Sequence, residues 1–349
     1  MTDESTITAL QAEVAAQGER LDALENAVFG QPEPQTVEIR NIQLHSNDLT
    51  VGEVVEATDS LPEVSEDAEL VFVADFESGE IQAAEVSPDG LAIQPSPSQD
   101  GLANDYKAKV VGAGDDWHGA IVPTPYAGTK CVALYLNRAD WDGTNRPIPE
   151  DVKPRSQLTK SNRFLPILQG VDWWIGGALY IPKDLFDEET EANNEGVRLQ
   201  LHGSGDFANK SPPLSLVQTN NGLQWKVITG DTKSPPLINS YEWTQNPIIT
   251  DAWMPFAIYI RPSATDTGQL EIWHGDEKVV ERLDQPNCYT MGNPASTDPL
   301  YFCLNVYNAK LVSQPSSVNK AGIYFDEIRI ARGKNARRLV DPRYASVPN

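Results

Sequence analysis

The sequence predicts an all-β protein, an antiparallel sandwich of two sheets. Short apolar runs of strand length recur along the 349 residues, and turn signals such as Gly203-Ser204-Gly205 and Asn220-Asn221-Gly222 separate most of them. Helical periodicity is scarce after residue 30, and the chain holds 26 Pro and 24 Gly. Many strands at short spacing without intervening helices are typical of sandwiches and barrels.

Residues 1–30 are the exception, because their apolar residues follow a helical pattern. Steps of three and four residues alternate along one seam, formed by Ile7, Leu10, Val14, Gln17, Leu21, Leu24 and Val28. This heptad spacing predicts a short coiled coil or attachment helix that begins near Ser5 or Thr6 and ends at Gly30. A helix this short is marginal alone, so we expect self-association through residues 6–29 as a dimer or trimer. The alternative is an amphipathic helix that lies on its own body.

The acidic charge is concentrated in the first part of the chain. Residues 1–100 contain 22 acidic and two basic residues, so most of the net charge of −23 lies there. Because this charge repels phosphate, we expect no nucleic-acid partner for that part. Residues 31–68 contain several prolines and show only weak alternation of apolar and polar residues, which indicates an acidic linker or a small β module.

We expect the main domain to span residues 69–334. Its predicted strands cover residues 70–77, 130–137, 173–181, 196–202, 214–218, 223–228, 253–260, 269–274, 301–307 and 322–331. Residues 335–349 form a basic C-terminal tail, and we expect the basic residues between Arg329 and Arg343 to lie on the surface.

Cysteine content and hydropathy argue against a disulfide-stabilised protein, a membrane-spanning protein and a signal peptide in residues 1–30. Cys131, Cys288 and Cys303 are too few for a disulfide framework. No apolar run approaches the length of a membrane span, so no membrane insertion is expected. Residues 1–30 lack the basic start and apolar centre of a signal peptide.

Three strand-like segments carry the candidate chemistry: Arg138-Ala139-Asp140, Gln200-Leu201-His202 and residues 301–308. Side chains two apart in a strand share one face. The third segment therefore places four side chains on one side, those of Tyr301, Cys303, Asn305 and Tyr307. If the strands are neighbours, a cation, an amide, an imidazole and a phenol meet on one surface. That combination suits removal of a proton beside a carboxylate.

The same segments resemble motifs of the jelly-roll polysaccharide lyases of the alginate-lyase and heparin-lyase-like group. Residues 200–202 are similar to the group's Q-x-H motif, residues 301–308 to its Y-F-K-A-G-x-Y-N strand, and residues 138–140 stand in place of its R-x-E. The resemblance covers roughly residues 70–333 and implies a two-sheet jelly-roll, or concanavalin A-like, sandwich. Cys303 stands where the group has Lys, Leu304-Asn305 replaces Ala-Gly, and Asp140 replaces Glu.

The resemblance implies a lyase that cleaves an acidic, uronate-containing polysaccharide by β-elimination, without a cofactor. Arg138 and Gln200 would donate to the substrate carboxylate and stabilise the charge that develops on it. His202 would act as the base, and Tyr307 would protonate the leaving oxygen or serve as both base and acid. The candidate substrate-binding residues are Asp140, Tyr301, Cys303 and Asn305.

A second hypothesis is a non-catalytic jelly roll that binds glycans or decorates an assembly, since Cys303 removes a cation that would hold an anionic sugar. For either function we expect a phage setting, because a glycan-directed domain without a secretion signal follows a short acidic coiled coil. The protein would then be a virion-attached depolymerase or decoration protein, on the virion surface or extracellular after lysis, with other virion proteins as partners. A structural calcium ion held by Glu77 and Asp326 is a further alternative.

Overall fold

The computed structural model describes residues 63–78, 107–117, 120–137, 155–159, 166–185, 196–203, 211–219, 221–231, 238–290, 300–308 and 320–344, together with three two-residue strands. The chain divides into two compact units, Met1–Pro62 and Glu63–Asn349. In the first unit, strands β1 (Leu44–His45) and β2 (Asp48–Leu49) form an antiparallel hairpin. Residues 1–30 lie outside the described residues, so the coiled coil and the self-association through residues 6–29 stay predictions. No helix within the described ranges is long and apolar enough to cross a membrane.

The second unit is built from two large sheets, with eight strands each among the described residues. Sheet 1 contains β3 (Glu69–Ala74), β5 (Lys107–Gly112), β8 (Lys130–Asn137), β10 (Trp173–Tyr180), β15 (Trp253–Arg261), β16 (Gln269–His274), β17 (Glu277–Leu283) and β20 (Lys320–Arg332). Its strand order is β17-β16-β15-β10-β20-β8-β5, with β3 also paired to β20. The first and last strands of this unit are therefore hydrogen-bonded neighbours, which closes the chain on itself.

Sheet 2 carries the candidate site. It contains β4 (Ala92–Ile93), β9 (Arg155–Thr159), β11 (Gly196–Gly203), β12 (Leu214–Thr219), β13 (Gly222–Asp231), β14 (Ile238–Gln245), β18 (Tyr289–Thr290) and β19 (Leu300–Asn308). Its order is β14-β13-β12-β11-β19-β9-β4, and the short β18 pairs with β13 in parallel. Every other pairing among the described strands of the two sheets is antiparallel, whether the strands are consecutive, as β12 and β13, or distant in the chain, as β3 and β20. A small hairpin, β6 (Asp116–Trp117) with β7 (Ala120–Ile121), stands apart from both sheets.

The two sheets bury one continuous core between them. On β11 and β19 every second residue enters this core, namely Leu199, Leu201, Leu300, Phe302, Leu304 and Val306. Trp225 from sheet 2 and Phe256 from sheet 1 are among its largest fully buried side chains. Aligned sheets with alternating inward residues are the packing of a β-sandwich. The predicted all-β, two-sheet jelly roll is confirmed.

Glu77 and Asp326, the candidate calcium ligands, both hold the segment 126–130. The Glu77 carboxylate accepts hydrogen bonds from the backbone N–H groups of Thr129 and Lys130, at 2.8 and 2.9 Å. Asp326 accepts from the N–H groups of Ala127 and Glu327, at 3.0 and 2.8 Å, while burial raises its pKa to about 7. The structure thus gives both carboxylates protein donors. Within the described ranges, no group of three or more potential ligand side chains comes together.

The basic C-terminal residues do not form the exposed patch that the sequence predicted. Arg329 is 2% exposed and pairs with the carboxylate of Glu327. The short helix α1 (Arg337–Val340) packs with Trp174 and Trp273 on the face of sheet 1 that points away from the core. The expectation was wrong for Arg329 and Arg337, because Glu327 and Asp341 compensate their charges and let them be buried. Arg332 and Lys334 are exposed, as expected.

His274, which is half-buried at the inner side of sheet 1, gives stability a specific pH dependence. Its Nε2 accepts a hydrogen bond from Trp225 Nε1 at 2.8 Å, across the gap between the sheets, and burial lowers its pKa to about 3. Below about pH 6.5 the unfolded chain therefore binds a proton that the folded chain does not. Stability should fall as the pH drops from 6.5 towards 3, by up to about 1.4 kcal/mol per pH unit from this group.

His274→Gln keeps an acceptor for Trp225 and removes the titration. We expect the free energy of unfolding of this variant, measured with urea, to fall less steeply between pH 6 and 4 than that of the wild type. Met254→Leu, beside His274 Nδ1, retains the histidine and should keep the wild-type slope. An unchanged slope in His274→Gln would show that the histidine is not held neutral.

Candidate active site

The outer face of sheet 2, the face that points away from sheet 1, carries the candidate chemistry. Because Phe302, Leu304 and Val306 enter the core, the intervening positions on β19 lie on the outer face. These positions are Tyr301, Cys303, Asn305 and Tyr307. The face parity predicted from the sequence is therefore correct for this strand.

Strand β11 is the hydrogen-bonded neighbour of β19 and brings the amide and the imidazole to the same face. Gln200 lies opposite Cys303, and His202 lies opposite Tyr301. The rings of His202 and Tyr301 are 5.3 Å apart between centroids, at an interplanar angle of 31°. Directly opposed residues on antiparallel strands are in side-chain contact range, so the two motifs form one surface.

The hydrogen bonding of His202 fixes its tautomer. Its Nδ1 lies 2.8 Å from the carbonyl oxygen of Gly203. Since a carbonyl oxygen can only accept, Nδ1 carries the proton in this contact. In the neutral ring Nε2 is then the unprotonated nitrogen, and its chemistry suits it to take a proton from a substrate.

A β-bulge in β11 adjusts the position of Tyr307. The pairing shifts between Val197, which is opposite Tyr307, and Leu199, which is opposite Leu304. Arg198 thus faces two residues of β19, Asn305 and Val306, and is itself the extra residue in the pairing with β12. Its buried guanidinium donates to Oε1 of Gln218 at 2.6 and 3.2 Å. Bulges re-aim side chains and are over-represented beside active sites. Here the shift leaves Tyr307 opposite Val197 at the end of the paired segment.

On its other side β19 pairs with β9, a strand that the sequence analysis missed. The backbone register places Arg155 opposite Tyr307 and Gln157 opposite Asn305. Leu158 is the one large apolar residue of β9 and is fully buried, so the strand lacks the apolar alternation that identifies strands. One feature of the sequence could have pointed to this strand. In Arg155-Ser156-Gln157 a basic residue and a polar residue stand two apart, the same spacing as in Arg138-Ala139-Asp140, which the motif search selected.

Two of the candidate substrate-binding residues differ from the expectation. Cys303 is 0% exposed and Asn305 is 1% exposed, so neither presents a surface that a sugar could touch in this structure. Position on the outer face alone does not ensure exposure, because a face can itself be covered. Gln200 is also buried, at 7% exposed, whereas His202, Tyr301 and Tyr307 are half-buried and retain accessible surface. Arg138 and Asp140 lie outside the described residues.

Comparison with known proteins agrees with this architecture. The sequence profile described as polysaccharide lyase matches residues 118–329, more than half of the chain. An endo-β-1,4-glucuronan lyase from the fungus Trichoderma reesei shares the fold at 14% sequence identity, with a TM-score of 0.51 over 68% of this chain and 91% of that one. An alginate lyase from Klebsiella pneumoniae aligns with a TM-score of 0.41 at 13% identity, over 58% and 82% of the two chains. No curated protein matches the chain in sequence.

The profile match covers the strands that hold Gln200, His202, Tyr301 and Tyr307, and the glucuronan lyase has the same jelly-roll fold. The resemblance identified from the motifs, and with it the expectation of a lyase, is confirmed. The chain belongs to the polysaccharide lyase family.

Proposed function

We propose that the outer face of sheet 2 cleaves an acidic, uronate-containing polysaccharide by β-elimination. The observation that carries the proposal is the register of β11 on β19, which sets His202 opposite Tyr301 and Gln200 opposite Cys303. A base, an amide donor and phenols thereby share one face in a chain of the polysaccharide lyase family.

The reaction removes the proton on C5 of a uronate unit and expels the oxygen on C4. The C5–H bond and the C4–O bond break, and a C4–C5 double bond forms. The C5 proton is weakly acidic while the neighbouring carboxylate keeps its full negative charge. Hydrogen-bond donors on that carboxylate stabilise the enolate-like charge that develops, and such donors are worth about 10²–10³-fold in rate.

Three residues on the outer face have chemistry that suits these steps. Nε2 of His202 acts as the base, since Nδ1 is occupied by the Gly203 carbonyl. The amide of Gln200 donates to the substrate carboxylate. The phenol of Tyr307 protonates the leaving oxygen, which restores a hydroxyl on the departing chain.

A cation that neutralises the carboxylate completes the set, and the register favours Arg155 for this role. Arg155 lies opposite Tyr307 on the neighbouring strand β9. An arginine binds a carboxylate through two parallel hydrogen bonds, which fixes the orientation of the sugar as well as its charge. Arg138, which the sequence motif favoured, is the competing candidate.

A non-catalytic glycan-binding or virion decoration protein is the second candidate. The observation that favours it is Cys303, which is fully buried and uncharged where the resembling motif has a lysine. A binding module needs only affinity for the polymer, whereas a lyase needs proton transfer. The acidic N-terminal segment with its heptad spacing, ahead of a glycan-directed domain, supports a virion setting for either function.

The test is incubation of the full-length protein with a panel of polymers that contain uronate units, such as polyglucuronate, polymannuronate and polyguluronate. We expect ultraviolet absorbance from the new C4–C5 double bond to rise with at least one of them, and neutral glucans to give none. A protein that binds such a polymer yet yields no unsaturated product on any of them would be a binding module.

A further inference from the structure

The outer face of sheet 2 extends beyond the strands that carry the proposed chemistry. One line of directly opposed residues crosses five strands: Cys303, Gln200, Ser215, Lys226 and Tyr241. The line begins beside the candidate site on β19 and β11 and ends on β14, the edge strand of the sheet. Lys226 and Tyr241 thus share a face with Gln200. Of the five residues, these two retain accessible surface, whereas Cys303, Gln200 and Ser215 are buried.

Lys226 and Tyr241 form a pair at the far end of this line. The ammonium nitrogen of Lys226 lies 5.6 Å from the centroid of the Tyr241 ring, which is within the range of a cation–π contact. Tyr241 is 46% exposed, and Lys226 is half-buried. A large aromatic ring held open to solvent next to a positive charge is a surface that suits a ligand with both an apolar and an anionic side.

The neighbouring positions on the same face are neutral and hydrogen-bonding. Gln224 lies opposite Thr244, and its amide donates to the Thr244 hydroxyl at 2.8 Å. Thr219 donates to the Gln224 amide oxygen at 2.7 Å. Thr244 is exposed. Gln224 is buried at 7% exposed, so it holds Thr244 in place, and the exposed Thr244 hydroxyl is the member of this set that can bond to a sugar hydroxyl.

The spacing of the strands separates this pair from the proposed site of cleavage. Neighbouring strands lie about 4.8 Å apart, so Lys226 is about 10 Å and Tyr241 about 14 Å from Gln200 along the line. One sugar ring held at Gln200 and His202 does not reach that far. Further units of the same polymer, lying across the strands, do.

We infer that Lys226 and Tyr241 form a second subsite that binds a uronate unit away from the bond being cleaved. Lys226 contacts the carboxylate of that unit, and the ring of Tyr241 packs against the apolar face of the sugar. This inference rests on the proposed function. The subsite makes long chains better substrates than short ones, because its contacts exist only when the polymer extends to β14.

The test compares full-length Lys226→Gln and Tyr241→Ala with the wild type on a uronate polymer and on the shortest oligomer that the wild type cleaves. We expect kcat/KM for the polymer, relative to that for the oligomer, to fall about three- to tenfold in each variant. The loss should appear mainly in KM. Lys226→Arg, which keeps the charge, should retain more of the preference than Lys226→Gln.

The matched control is Lys109→Gln. Lys109 lies on β5 of sheet 1 and also sits 5.6 Å from an aromatic centroid, that of Trp117. Removing this charge leaves the outer face of sheet 2 unaltered, so the preference for long chains should not change. An equal effect of Lys109→Gln and Lys226→Gln would overturn the subsite, because the loss would then reflect net charge alone.

The failure of the subsite and the failure of the proposed function can be told apart. If the wild type forms unsaturated product and Lys226→Gln keeps the full preference for long chains, the subsite is wrong and the lyase stands. If the wild type forms no product, retardation of the wild type and Lys226→Gln in gels that contain the polymer tests the subsite alone. Weaker retardation of Lys226→Gln supports it, and equal retardation overturns it.

Discussion

Replacing Tyr307 by phenylalanine should reduce turnover of the preferred uronate polymer by about 10²–10⁴-fold, the usual contribution of general acid–base catalysis. The change removes one hydroxyl from a half-buried ring on the outer face, so it deletes a proton donor and little else. His202→Gln should cost a similar factor, because the amide cannot take up the C5 proton. Both rates are measured from the absorbance of the unsaturated product.

Binding of the polymer separates loss of catalysis from loss of structure in these variants. Proton transfers are made in the transition state, so kcat should fall while affinity for the polymer stays within a few-fold of the wild type. Tyr180→Phe is the matched control. Tyr180 lies on β10 of sheet 1 and its hydroxyl donates to Asp251, so this change leaves the outer face of sheet 2 intact and the rate should be unchanged. A Tyr307→Phe protein with the wild-type rate would remove Tyr307 from the mechanism.

The central strands were predictable from the sequence because their signal is local. Residues 130–137 were predicted as a strand and form β8 with the same bounds, and the prediction for residues 173–181 differs from β10 by one residue. Buried apolar runs bounded by turn residues identify such strands regardless of what they pair with. The shared face of Gln200 and His202 follows from the same local period of two.

The strands β5, β14 and β17, which end the sheets, were missed for a physical reason. β14 and β17 lie at sheet edges. Each exposes two consecutive residues, which lie on opposite faces: 238–239 in β14 and 277–278 in β17. A strand that exposes residues on both faces has no regular alternation of apolar and polar residues. The ion pair between Glu242 of β14 and Arg282 of β17 joins these two edges, and no local pattern reveals such a contact.

The sequence also could not predict which residues of the outer face are buried. Cys303 and Asn305 alternate with core residues as surface positions do, yet they are 0% and 1% exposed. Whether a polar face is open depends on segments distant in the chain. The sequence could therefore assign these residues to a face but could not decide whether a substrate reaches them.

The pairing of strands favours one of two candidate arginines, and the choice between them gives the second large effect. The motif in the sequence favours Arg138, whereas the register of the sheet places Arg155 opposite Tyr307. Pairing is a non-local property, so spacing along the chain could not distinguish them. We expect Arg155→Gln to lower kcat/KM on the uronate polymer by about 10²–10³-fold, the loss typical of a donor that stabilises developing negative charge.

Arg155→Lys keeps the charge but loses the paired hydrogen bonds of the guanidinium, so it should recover only part of the rate. Arg138→Gln makes the same chemical change at the other candidate and should cost much less. Because a residue that holds the carboxylate acts in the ground state too, Arg155→Gln should also weaken polymer binding, unlike Tyr307→Phe. If Arg138→Gln instead gives the larger loss in both rate and binding, the carboxylate is held from residues 138–140, and the register of β9 does not identify its partner.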